Sequence, residues 1–95
     1  MVAPNDILGR RNEIKDCLAA ADMAKAVKRL MDFADDFHPE SKNMAIGLSF
    51  EFNDLKKVML MGSISFLEQR QIKNSIVSRI LITVDDIVDQ KKLAA

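Results

Sequence analysis

The stretch "MLMGSISFLEQRQIKNSI", Met59 to Ile76, decides how this chain folds. One apolar periodic run stops at Met61, Gly62 intervenes, and a second run starts after Ser65. Glycine takes a left-handed backbone conformation at little steric cost, which is how many helices end. Ser65 and Glu68 stand at the S-x-x-E spacing of a capping box, in which the serine oxygen accepts from the amide of Glu68 and the glutamate reaches back to the serine amide. The stretch therefore reads as a corner between two helices.

Beyond the corner, Ile72, Ile76, Ile80, Val84 and Ile87 fall on one helical face, supported by Phe66, Gln69, Val77, Leu81 and Val88, until the pattern fades in "DQKK". Before it, a helix from about Glu40 or Ser41 to Met61 carries its main seam on Met44, Leu48, Phe52, Leu55 and Met59. Ile46 and Phe50 start a second stripe on another side of that helix. They are either covered inside the bundle or left outside as an apolar docking patch. Gly47 lies within the same helix and costs about 1 kcal/mol relative to alanine.

The N-terminal half supplies two shorter periodic runs. Asp22 caps a helix whose face is Met23, Val27, Leu30, Ala34 and Phe37, widened by Ala26 and Phe33. It ends at "DDFHPES", where Pro39 removes an amide donor and disfavours helical geometry at His38. An earlier helix runs from Asp6 or Gly9 to Ala20, with Ile7, Arg11, Ile14 and Leu18 on a stripe and Cys17 beside it. No segment alternates as a strand would. Four amphipathic helices with short links are expected to pool their stripes as an all-α, compact antiparallel four-helix bundle, one domain spanning 1–95 with its core between about 6 and 90.

Composition narrows the function classes. The chain has 95 residues, 48% of them hydrophobic, enough for one core. Its single cysteine, Cys17, cannot form an internal disulfide, and no CxxC or Cys/His cluster offers a metal site. No cofactor is expected. The N-terminus lacks the apolar core of a signal peptide, and no run approaches the roughly 18 apolar residues of a membrane span. A soluble, cytoplasmic protein with no membrane partner is the expectation. Fourteen Lys plus Arg balance fourteen Asp plus Glu, so no basic excess exists to drive counterion release from nucleic acid. A nucleic-acid partner is not expected. The alternative reading would use Arg10, Arg11 and Lys15, or Lys25, Lys28 and Arg29.

A reaction centre is hard to assemble from these residues. His38, the sole histidine, precedes a proline and reads as an exposed loop residue. Cys17 reads as a buried small hydrophobe. Asp35 and Asp36 are adjacent, as are Asp85 and Asp86, but neighbours on a helix point in different directions and form no preset dyad. With Asp32 and Asp89 these carboxylates make either a solvated face or a charged docking surface. Asp32 with Arg29 reads as an i,i+3 pair on one helix. The basic group Arg10, Arg11 and Lys15 and the acidic groups Asp32, Asp35, Asp36 and Asp85, Asp86, Asp89 are complementary in sign, able to steer one copy onto another or onto a matching domain. These nine residues, with Ile46 and Phe50, are the candidate protein-interaction residues.

The segments "EIKDCLAAADMAKAVKRLMDFA" and "KNMAIGLSFEFNDLKKVMLMGSISFLEQRQIKNSIVSRILITVDDI" resemble the type-eleven effector-associated domains of prokaryotic conflict systems. The resemblance is carried by Phe52, Asn53, Leu55, Gly62, Ile64, Ser65, Glu68, Asn74 and Ile76 and spans about Glu13 to Val88. The chain departs from the family in having Ala21, where a glycine is usual before Asp22, and Ala24, where an acidic residue is common. The resemblance implies a homotypic adaptor with no catalysis of its own, pairing with itself or a matching effector-associated domain and recruiting a protease, TIR-domain protein or NTPase. Such modules are compared in function with the death superfamily, although the sequence supplies four helices rather than six.

Overall fold

The computed structural model describes residues 5–94, with side chains through residue 92. The chain forms α1 (Ile7–Ala19), α2 (Met23–Phe37), α3 (Lys42–Met61) and α4 (Phe66–Ala94), with one short 3-10 turn, Pro39–Ser41, leading into α3. No strand occurs among the described residues. Caps set the boundaries. The Asp6 carboxylate accepts from the amide of Gly9 at 2.9 Å, which settles the start of α1, and the Asp22 carboxylate accepts from the amide of Lys25 at 3.1 Å. The 3-10 turn moves the start of α3 one residue past Ser41. The Ser41 hydroxyl is 2.7 Å from His38 Nδ1 instead of capping the helix. His38, read from sequence as an exposed loop residue, is largely covered, its side chain only 23% accessible.

The two tight corners share one hydrogen-bond scheme. At the end of α3, Gly62 lies at φ 66°; its amide donates to Met59 O and the amide of Ser63 donates to Val58 O, both at 3.2 Å. At the end of α1, Ala21 lies at φ 59°, its amide donating to Leu18 O at 3.0 Å and that of Asp22 to Cys17 O at 2.9 Å. Both are left-handed caps with the paired bonds of a Schellman motif, so Ala21 stands in a conformation that favours glycine. Across the α3–α4 corner, the amide of Glu68 donates to Ser65 Oγ at 3.1 Å as the spacing predicts. The return bond differs: Glu68 Oε1 accepts from the Ser65 hydroxyl at 3.2 Å, not from the serine amide.

Packing follows the apolar stripes. Ile14 of α1, Val27, Leu30, Phe33 and Ala34 of α2, Ala45, Leu48 and Leu55 of α3, and Ile76, Ile80, Val84 and Ile87 of α4 form a contiguous core. Helices α2 and α4 touch across the bundle and each contacts both of the others, so α1 and α3 lie on opposite sides of an α2–α4 diagonal. Three residues depart from the sequence reading, Met44, Phe66 and Ile72, the last exposed although it continues the α4 stripe. Met44 is exposed, and Ala45, a small residue that allows close helix approach, takes the inward place. Phe66 is on the inward face of α4 yet is 78% exposed, because no helix reaches far enough to cover it.

Three substitutions test this backbone account by chemical denaturation. Ala21→Gly should stabilise the fold by about 0.5–1 kcal/mol, since the left-handed penalty for alanine exceeds the added freedom of the unfolded chain. Gly62→Ala should destabilise it by a similar amount. Gly47→Ala, where an added methyl meets nothing within 4 Å, should stabilise it by about 0.5–1 kcal/mol. As a measure of the core, Ile80→Ala, at a fully buried position, should cost about 2–5 kcal/mol.

Candidate functional site

Charged side chains on this chain join helices to one another. Arg10 of α1 meets Asp36 of α2 at 2.6 Å, and its guanidinium lies 5.1 Å from the Phe37 ring centre and 5.9 Å from that of Phe33. Its side chain is 16% accessible, so the charge is held between a carboxylate and two aromatic faces. Lys15 of α1 meets Asp85 of α4 at 3.2 Å. Lys42 at the start of α3 meets Asp35 near the end of α2 at 3.1 Å, and Arg79 of α4 meets Glu51 of α3 at 2.7 Å. Arg29 of α2 bonds Glu13 of α1, not the Asp32 of its own helix that the spacing suggests.

The complementary patches seen in the sequence thus meet in part within one chain. Arg10 and Asp36 are together, as are Lys15 and Asp85, whereas Asp32, Asp86 and Asp89 make no ion pair among the described residues. Arg11 is half-buried and donates to Asn12 Oδ1 at 3.3 Å. Asp32 borders a crevice of about 40 Å³ with Arg10, Glu13 and Arg29, too small for more than water. Exposed pairs of this kind contribute about 0–1 kcal/mol each. The Arg10 cluster, more covered and with ring contacts, sits at the upper end.

The apolar exterior is the other half of the surface. Ile46 and Phe50 lie on the face of α3 turned away from the core, and Phe50 is 73% exposed. The bundle therefore does not cover this stripe. A further group was not singled out by the sequence: Leu60 is 89% exposed, and Met61, Phe66 and Leu67 are exposed around the α3–α4 corner. A signal was present in the helix lengths. The 20 and 29 residues of α3 and α4 cannot be covered along their length by the 13 and 15 of α1 and α2.

Where the short helices stop, a groove of about 470 Å³ opens. Leu18 of α1, Asp22 of the α1–α2 turn and Met23 of α2 line it on one side, with Phe52, Lys56 and Met59 from α3 and Lys73 and Val77 from α4. The Lys56 ammonium stands 5.2 Å from the Phe52 ring centre. Among the described residues no group of three His, Cys, Asp or Glu is placed to hold a metal ion, and no helix is long and apolar enough to cross a membrane.

Residues 9–90 match the family described as Effector-associated domain 11, covering most of all four helices. The chain belongs to that family. No curated protein and no solved structure matches the chain. Several residues that carry the resemblance to Effector-associated domain 11 have structural duties here: Leu55 and Ile76 are buried, Gly62 ends α3, and Ser65 with Glu68 starts α4. Phe52 lines the groove, and Asn53 and Asn74 are exposed.

The Arg10 cluster can be tested by a double-mutant cycle. Arg10→Met should destabilise the fold by about 1–2 kcal/mol, with a coupling to Asp36→Asn of about 1 kcal/mol in urea melts. Asp89→Asn should change stability by less than about 0.5 kcal/mol.

Proposed function

We propose that this Effector-associated domain 11 chain is a non-enzymatic adaptor that pairs with a copy of itself or with a matching effector-associated domain. By doing so it brings an effector, such as a protease, a TIR domain or an NTPase, to its site of action in a prokaryotic defence or signalling system. The observation that carries the reading is the combination of family membership with large apolar side chains standing outside a complete core. Apolar surface held in water has an unrealised driving force for association, and aromatic side chains such as Phe50 are the type that anchors protein contacts. Ile46 and Phe50 are proposed to meet the matching domain. Asp86 and Asp89, which make no ion pair among the described residues, with Asp32 and Arg11, are proposed to discriminate among partners at its edge.

The remaining charged candidates serve the monomer first. Arg10, Lys15, Asp35, Asp36 and Asp85 can contribute to a partner contact only by sharing or exchanging an existing ion pair. The same pairing counts against a phosphate-binding surface. Arg10 and Lys15 already face carboxylates, and Lys25, Lys28 and Arg29 surround a depression that also contains Asp32.

Mechanistically, an adaptor of this kind does its work by concentration. Joining two modules converts a second encounter into an intramolecular one and raises the effective concentration of whatever is attached. Modest affinity suffices, so long as the contact is selective.

Sedimentation and pull-down measurements on the purified chain test the proposal. Self-association, or capture of a matching effector-associated domain, should appear with a Kd in the micromolar range. Absence of both up to about 1 mM protein would contradict it. A labelled DNA or RNA duplex titrated across a salt series should show no binding that weakens steeply with salt.

A further inference from the structure

We infer that the groove beneath the α1–α2 turn is a self-pairing surface, through which two copies of this chain form a closed, two-fold dimer. The inference rests on the adaptor reading and deepens it by assigning the surface and the stoichiometry.

The geometry begins with α4. Its inward face is buried from Ile76 to Ile87 and continues toward the helix start with Ile72 and Phe66 exposed and the polar Gln69 and Lys73 between them. The groove separates the α1–α2 turn from α4 at Lys73 and Val77, so about seven residues of α4, or roughly 10 Å at 1.5 Å per residue, lie beyond the end of the short helices. In outline the chain is elongated, 47 × 26 × 16 Å: a body of four helices and a projecting tongue of two. The bare side of the tongue mixes apolar Phe52, Met59, Ile72 and Phe66 with Lys56 and Lys73.

Two such shapes fit together when related by a two-fold axis. The tongue of each copy then lies against the end of the other's α1–α2 pair, completing the layer that its own short helices leave unfinished. The charges of the groove suit this arrangement. Asp22 stands on one wall, and Lys56 and Lys73 stand on the opposite wall. Seating each tongue on the other copy's α1–α2 end sets Asp22 of each copy toward Lys56 and Lys73 of the other, an opposite-sign pairing. A groove lined by one sign would repel itself. Zero net charge on the chain removes the long-range repulsion between copies as well.

Symmetry then sets the stoichiometry. An isologous contact uses the same patch on both copies and is saturated at two, whereas a head-to-tail contact would propagate. Ile46 and Phe50, on the outer face of α3, remain uncovered in this dimer and available to a different partner.

The test compares single substitutions at exposed positions in sedimentation equilibrium of the whole chain, with Asp22→Lys also removing the α2 cap at a cost in stability. The wild type should reach a dimer and no larger species. Phe66→Glu should weaken dimerisation by about 30-fold or more, and Phe50→Glu should leave it within about twofold. Lys73→Glu should weaken it, and Lys73→Glu mixed with Asp22→Lys should recover a heterodimer through the one Asp22/Lys73 contact whose two charges are both reversed. Circular dichroism and urea midpoints confirm that each variant remains folded.

Several results overturn the inference while leaving the adaptor proposal standing. These are loss of the dimer in Phe50→Glu with retention in Phe66→Glu, assembly that grows with concentration beyond two copies, or a monomeric chain that still captures a matching domain. A monomeric chain that captures nothing overturns both.

Discussion

The constraint that shapes this molecule is a mismatch of helix length on a shared apolar face. The inward stripe of α4 must be shielded from water, yet α1 and α2 together supply only enough helix to shield the part from Ile76 onward. Where cover exists, Phe33, Leu30 and Leu48 share one buried core with Ile80 and Val84. Where it ends, the same face continues into solvent at Ile72 and Phe66. Core and candidate docking surface are thus successive parts of one stripe. Burial at roughly 25 cal/mol per Å² of apolar area favours covering the remainder, and the chain has no helix left among the described residues to do so.

Charge completes the division of labour. Cross-helix pairs from Arg10, Lys15, Arg29, Lys42 and Arg79 tie all four helices together around the core, and they place the least exposed of these cations against aromatic rings. Each exposed pair is weak, but each also disfavours wrong docking of the helices, because a slipped helix would strand a half-buried charge. Selectivity inside the monomer and selectivity toward partners draw on the same residue types, which is why formal charge alone does not separate them.

The architecture was legible because its signals are local. Asp22, Gly62 and the Ser65–Glu68 pair mark their boundaries by short-range backbone chemistry, and the isoleucines of α4 announce their face by spacing alone. Position on the surface was less legible because it depends on other elements. Met44 and Ala45 compete for one inward place, and the outcome depends on how closely the neighbouring helices approach. Arg29 has a carboxylate three residues away, yet reaches Glu13 on a different helix. Phe66 carries every sequence mark of a core residue and is exposed, since nothing in its own neighbourhood records where α1 and α2 stop. Ala21 could be read only as a departure from a family pattern until its positive φ showed what the glycine would supply.

The most direct measurement of the central claim is amide hydrogen exchange, followed by mass spectrometry, across a concentration series of the whole chain. Slowed exchange at high concentration, confined to residues 20–24 and 59–73 while residues 76–88 keep their protection, is the result this account predicts. Exchange that does not respond to concentration, or that slows on other faces of the bundle and not on these two segments, would contradict it.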